Sequence, residues 1–152
     1  MDIRKATLFD LNRLIALRLD YFGCEGELTQ AQATALSAQL KKFYLKHIPA
    51  GDFIAFIGET DGRVASAAFL LITERPAAPH LCTGKTGTIL NVLTYPEFRR
   101  RGYSTLILRA LIEEAKKENV SMLDLFATPD GKPLYKKLGF EETSYASLRM
   151  YL

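Results

Sequence analysis

The stretch Leu93-Thr94-Tyr95-Pro96-Glu97-Phe98-Arg99-Arg100-Arg101-Gly102-Tyr103-Ser104-Thr105 decides how the rest of the chain is read. An apolar run, Ile89 to Leu93, enters it and an amphipathic run from Leu106 leaves it. In physical terms a strand ends, a positively charged turn follows, and a helix begins. The start of a helix presents backbone N–H groups without intrahelical partners and the positive end of the macrodipole, which together make an anion site. Arginine suits phosphate oxygens at such an entrance, because its planar fork donates two parallel hydrogen bonds. The stretch therefore implies a phosphate- or pyrophosphate-bearing ligand held at residues 99–105.

Downstream, the spacing of Leu106, Leu108, Leu111, Ile112 and Ala115 predicts a helix from about Tyr103 to Glu118 with those residues buried. Met122 to Ala127 reads as a strand, and Thr128-Pro129-Asp130-Gly131 breaks the chain. Pro133 suits the first turn of a short helix over Leu134 to Leu138, with Gly139 as its C-cap. From Phe140 onward one or two last strands are expected, Leu148-Arg149-Met150-Tyr151-Leu152 alternating at the end.

Upstream, residues 75–87 read as a loop, preceded by a hairpin of Phe53–Ile57 and Val64–Thr73 turned by Asp61-Gly62. Ile3 marks a short opening strand. Thr7 looks like an N-cap with Asp10 as its capping-box partner. The helix it opens should run to about Phe22, with Leu8, Leu11, Leu14, Ile15, Leu17 and Leu19 on the apolar side, Arg13 and Arg18 on the polar side, and Gly23 and Gly26 as stops. A second helix over Thr29 to about His47 is ended by Pro49 and Gly51. The order β-α-α-β-β-β-α-β-α-β-β is an α/β pattern with a mixed sheet. No repeat, low-complexity segment or linker interrupts it, so one domain over residues 1–152 is expected.

The bulk properties fit an ordinary globular domain: 48% hydrophobic, 24% charged, 11% aromatic. A net charge of +3 suits a small anionic ligand and falls short of a nucleic-acid footprint; the arginine run is not interleaved with aromatic stacking residues. Two distant cysteines, Cys24 and Cys82, argue against a disulfide framework and for a reducing compartment. No segment has a signal-peptide core or the ~20 apolar residues that span a bilayer. A cytoplasmic protein with no membrane partner is expected. His47 and His80 have no metal-ligand spacing, and no metal is expected.

Arg99-Arg100-Arg101-Gly102-Tyr103-Ser104 resembles the Arg/Gln-x-x-Gly-x-Gly/Ala signature of the GNAT superfamily of N-acetyltransferases. Pro96-Glu97-Phe98 precedes it, as there, and Leu134-Tyr135-Lys136-Lys137-Leu138-Gly139-Phe140 resembles the superfamily's Tyr four residues before Gly-Phe. The order of elements matches over essentially the whole chain. The resemblance implies a single-domain GNAT-like fold: a mixed, mostly antiparallel sheet, splayed between strands 4 and 5 and flanked by about four helices. It also implies acetyl-CoA as cosubstrate and direct transfer to a primary amine. Backbone amides of Arg101, Gly102, Tyr103, Ser104 and Thr105 would hold the pyrophosphate, with Arg99 and Arg100 opening the loop. Leu93 and Thr94 would pair with the pantetheine arm, a backbone N–H near Leu93 would polarise the thioester, and Tyr135 would protonate the leaving thiolate. A homodimer is in keeping with the family.

Two positions depart from the pattern. Ser104 stands where a second Gly or Ala is usual; it is small enough to fit and carries a hydroxyl that could donate to an oxygen. The family's general base is often a Glu on the strand before the turn, whereas here that region carries Asn91 and no acidic residue occurs from Gly84 to Pro96. An ordered water, Glu25, Glu27, Glu74 or bulk solvent are alternatives for that task. Tyr21, Phe22, Glu25, Tyr44 and Asn91 are candidates for the acceptor pocket. Small amines, polyamines, aminoglycoside-like compounds, amino acids and protein amines all suit such a scaffold, a small molecule somewhat better. A coenzyme A-binding sensor without efficient catalysis is the alternative to an enzyme.

Overall fold

The computed structural model describes all 152 residues apart from the side chain of Glu25. Strand β1 (Asp2–Lys5) leads to a 3-10 turn (Leu8–Asp10), α1 (Leu11–Glu25) and α2 (Gln30–Ala50). The hairpin β2 (Phe53–Thr60) and β3 (Arg63–Glu74) is followed by β4 (Lys85–Thr94), a 3-10 turn (Pro96–Phe98), α3 (Tyr103–Lys117), β5 (Met122–Asp124) and α4 (Lys132–Lys137). Local chemistry sets the helix entrances. The Asp10 carboxylate accepts from Thr7 N–H at 3.0 Å and the Thr7 hydroxyl from Phe9 N–H at 3.3 Å, closing the expected capping box. Arg4 grips the same carboxylate through two hydrogen bonds of 2.8 and 2.7 Å and holds its pKa down to about 2. Thr29 and Gln32 build a second box at α2.

One five-stranded sheet runs in the order β1-β2-β3-β4-β5, antiparallel except for the parallel pair β4–β5. Strand alternation sorts its side chains to two faces. Phe53, Ala55, Ile57, Ala67 and Phe69 pack under α1 and α2 with Leu14, Leu17 and Tyr44. Ile54, Ala68, Leu70, Ile72 and Ile89 pack under α3 with Ile107, Leu108, Leu111 and Ala115. Each fully buried Leu or Ile contributes about 1.5–3 kcal/mol.

Several sequence expectations need correction. Helix α1 continues through Gly23, because one interior glycine costs only about 1 kcal/mol, and Gly26 ends it. Helix α2 carries Pro49 in its last turn and stops at Gly51, whose φ is +78°. Strand β4 starts at Lys85, paired with Glu74, which shortens the loop to residues 75–84. Leu106 is exposed and Ile107 takes its place in the core, the helical register falling one residue later. Strand β5 stops at Asp124 rather than Ala127, since β4 has turned away by then. The expected final strands do not form: residues 141–152 are exposed, and no strand runs through them among the described residues.

Candidate active site

The site is organised by an irregularity in β4. Leu90 pairs with Phe69 and Leu93 with Ala67, so Asn91 and Val92 together face Ala68 across the ladder. This is a β-bulge, and it resets the alternation so that Leu90 and Leu93, three apart, pack on the same face. Asn91 takes the strained step at φ +54°, which Asn tolerates better than most residues. Its buried side chain spans to α1: Nδ2 donates to the Leu17 carbonyl at 3.2 Å and Oδ1 accepts from Arg18 Nη1 at 3.4 Å. A lone Asn in an apolar strand was the sequence-level signal of this bulge.

Beside the bulge the sheet opens. Parallel pairing with β5 covers Thr86–Thr88 against Met122–Asp124, closed by Thr88 Oγ1 donating to Asp124 Oδ1 at 2.6 Å. Beyond Thr88, β4 runs on to Thr94 without a β5 partner. The result is the expected splay, a cleft whose β4 wall offers a strand edge to an extended ligand.

At its end β4 delivers the chain to the arginine turn. Phe98 is buried and pins the turn; Tyr103 stacks on it at 6.4 Å, and the guanidinium groups of Arg63 and Arg101 lie 5.4 and 5.8 Å over its ring. Arg100 (φ +63°) and Gly102 (φ +76°) are left-handed. A Cβ added at Gly102 would meet no protein atom within 4 Å, so the space over the helix entrance is open. No side chain caps α3, and its first intrahelical bond is Leu106 N–H to Gly102 C=O at 3.2 Å. The N–H groups of Tyr103, Ser104 and Thr105 therefore have no intrahelical acceptor. Exposed Arg99, Arg100 and Arg101 surround this entrance, a donor set suited to a pyrophosphate.

A hydroxyl chain, not foreseen from the sequence, ties strand to helix. Buried Ser66 Oγ donates to the Leu93 carbonyl at 2.9 Å. Having spent its one proton, Ser66 accepts from Thr94 Oγ1 at 2.7 Å, which in turn accepts from Ser104 Oγ at 2.7 Å. Arg99 Nε donates to the Thr94 carbonyl at 3.0 Å. The Ser104 hydroxyl is thus turned toward β4, and one Arg of the run is a strut for the strand end. The polar Ser66 in an otherwise apolar strand was the available signal.

Across the cleft, Tyr135 sits half-buried on α4 with its ring edge-on to Phe140 at 6.0 Å. Burial, reinforced by Tyr21, holds its phenol above the usual tyrosine value, so it stays protonated at neutral pH and can donate. Arg18 stands over the rings of Phe22 (4.4 Å) and Tyr21 (5.8 Å). Arg18, Tyr21, Phe22 and Asn91 are thereby gathered along one side of α1. The sequence places Arg18 on the polar face; its guanidinium instead lies over the ring of Phe22, one turn on, and reaches Asn91 on β4. Tyr44 is corrected from pocket wall to core. It is 1% exposed, its ring lies 4.9 Å from Phe53, and burial pushes its phenol up to about 12. Of the candidate bases, the Glu25 side chain lies outside the described residues, and Glu27 is exposed in the link between α1 and α2. Glu74 pairs with Lys85 at the far end of β4 from the cleft. Asp20 accepts from the Tyr95 hydroxyl at 2.5 Å, fastening α1 to the residue after β4; burial and this bond hold the Tyr95 phenol high.

A family model described as the acetyltransferase (GNAT) family matches residues 13–140, a span holding the bulge, the turn and Tyr135. The chain belongs to the GNAT acetyltransferase family. Among GNAT relatives, an uncharacterized N-acetyltransferase of Porphyra purpurea is 29% identical over 99 residues, 65% of this chain and 52% of that protein. Another, from Pyropia yezoensis, is 37% identical over 57 residues, 38% of this chain and 33% of that one. The chain thus spans about half or less of the length of these relatives. Among solved structures, a predicted acetyltransferase of Clostridium acetobutylicum, determined with acetyl-CoA, matches with a TM-score of 0.86 and 27% identity over 97% of this chain and 95% of that one. A GCN5-related N-acetyltransferase of Ralstonia eutropha shares the fold with a TM-score of 0.83 and 23% identity, covering 98% of this chain and 97% of that one. No helix of this GNAT chain is long and apolar enough to cross a membrane.

Proposed function

We propose that the chain is an acetyl-CoA-dependent N-acetyltransferase that moves the acetyl group directly onto the primary amine of a small molecule. The observation that carries this reading is the continuity of one path, from the β4 edge freed beyond Thr88 to the uncapped, glycine-led start of α3. The coenzyme supplies the thioester. The N–H groups of Tyr103, Ser104 and Thr105 and the arginines of the turn bind its pyrophosphate, and Leu93 and Thr94 pair with the pantetheine. Holding both reactants in one cleft supplies the largest part of the rate. The amine nitrogen bonds to the carbonyl carbon, the C–S bond breaks, the leaving sulfur takes the Tyr135 proton, and the proton lost by the amine passes to water.

Incubating the protein with acetyl-CoA and a broad amine panel tests the reading. Stoichiometric release of coenzyme A with an acetylated amine is the expected result; binding without turnover for every amine contradicts it. That contrary outcome belongs to the sensor reading, which the absence of an acid on β4 favours.

A further inference from the structure

Asn91 is 3% exposed at the bulge, and its two hydrogen bonds fix which way its amide points. The Leu17 carbonyl can only accept, so the amide nitrogen faces it and Oδ1 faces Arg18 Nη1 at 3.4 Å. The guanidinium also lies over the ring of Phe22 at 4.4 Å, with the ring of Tyr21 at 5.8 Å. Contact of this kind attracts a cation and holds it in place without neutralising it. Strand β4 contributes only an amide dipole here, since no acidic residue occurs from Gly84 to Pro96. Asp20, two residues along α1, belongs to a different face of the helix, where the Tyr95 hydroxyl donates to it. Two aromatic rings and a buried amide thus position a guanidinium on the α1 side of the cleft.

The position is close to the chemistry. Tyr21 packs edge-on to Phe22 at 5.7 Å, and it also adds to the rise of the Tyr135 phenol. Tyr21 therefore links Arg18 on one side to Tyr135 on the other, and an acceptor seated beside Tyr135 meets the positive charge of Arg18. Polyamines and aminoglycoside-like compounds, cationic at several nitrogens, are repelled by it. An amine that also carries a carboxylate is attracted, and the planar fork of arginine offers its two oxygens parallel N–H donors.

We propose that Arg18 selects the acceptor, a small primary amine bearing a carboxylate that the guanidinium binds while the amine faces the thioester. The assignment rests on the acetyltransferase reading and narrows its acceptor to amino acids. One guanidinium matches one carboxylate. A phosphate, with a second charge and three oxygens, calls for several donors, such as those gathered at the uncapped start of α3.

The test is acetylation by the full chain of α-, β- and γ-amino acids, of the carboxamide and the decarboxylated amine of each, and of spermidine and phosphoethanolamine. The kcat/KM is expected to be about fivefold higher for a carboxylate than for its carboxamide, the effect of one partly exposed ion pair. Arg18→Gln should bring each pair level, the change lying in the KM of the acceptor, with circular dichroism unchanged. Arg18→Lys, which keeps the charge, should retain part of the preference. Equal turnover of carboxylate and carboxamide, a preference for spermidine or phosphoethanolamine, or a carboxylate preference that survives Arg18→Gln overturns the proposal and leaves the acetyltransferase reading standing. No release of coenzyme A with any amine overturns both.

Discussion

The two walls of the cleft are built differently. On the wall formed by the end of β4 and the start of α3, the backbone does the work: a bulge, two left-handed residues and an uncapped helix, tied by the Ser104–Thr94–Ser66 hydroxyl chain. On the wall formed by α1 and α4, side chains do it: Arg18 over Phe22 and Tyr21, Asn91 beneath them, Tyr135 opposite. On the proposed function, backbone geometry would serve a coenzyme whose phosphates are always the same, while a wall of side chains could change with the acceptor.

The comparison can be broken most severely at Gly102. Gly102→Val puts a β-branched residue at φ +76° and a side chain into the open space over the helix entrance; a calorimetric titration should show coenzyme affinity falling roughly 100-fold or more, about 3 kcal/mol. Tyr135→Phe acts on the other wall. Its kcat should drop about 100-fold with coenzyme affinity unchanged, since only the proton donor is lost. Because the Tyr135 phenol is raised, wild-type kcat should hold through neutral pH and decline only above the ordinary tyrosine range; an equal rate in the Phe variant removes Tyr135 from the mechanism.

Smaller effects sharpen the contrast. Thr94→Val cuts the hydroxyl chain and should raise the KM for acetyl-CoA about five- to tenfold, while Thr94→Ser, which keeps the hydroxyl, restores it. Arg18→Gln should change the KM of the acceptor several-fold and leave that of the coenzyme alone; the reverse pattern would exchange the roles of the two walls. The smallest effect concerns the root of α1. The folded-state pKa of Asp10 is depressed to about 2, so the stability it contributes is complete above its unfolded value near 3.8 and is lost as pH falls through about 2. In Asp10→Asn, acid unfolding followed by circular dichroism should lose its steepness in that window, by roughly 1–2 kcal/mol.

Much of the fold was legible because its signals are local. The Thr7–Asp10 box, the Asp61-Gly62 hairpin with φ of +53° and +71°, and the strand-turn-helix around Gly102 each depend on a few adjacent residues. The geometry of the β4–α3 wall was legible for the same reason. That of the α1–α4 wall was not: whether Arg18 faces solvent or β4 turns on an Asn91 that stands 73 residues away, and Tyr44 is core only because Phe53 and Phe69 close over it. Ser66 belongs to the same class, a polar residue whose partners come from β4 and α3. The alternation of Leu148, Met150 and Leu152 predicts a strand, yet alternation alone supplies no partner edge, and residues 141–152 form no strand.

The central claim is that acetyl-CoA lies along the freed edge of β4 with its phosphates at the start of α3. Amide-resolved NMR of the full chain titrated with coenzyme A tests it most directly. The account predicts that the largest shifts fall on Leu93, Thr94 and the amides of Gly102, Tyr103, Ser104 and Thr105, with a lesser response at Tyr135. Shifts confined to another surface, such as the groove at Leu138 to Phe140, or no shift at saturating coenzyme, would contradict it.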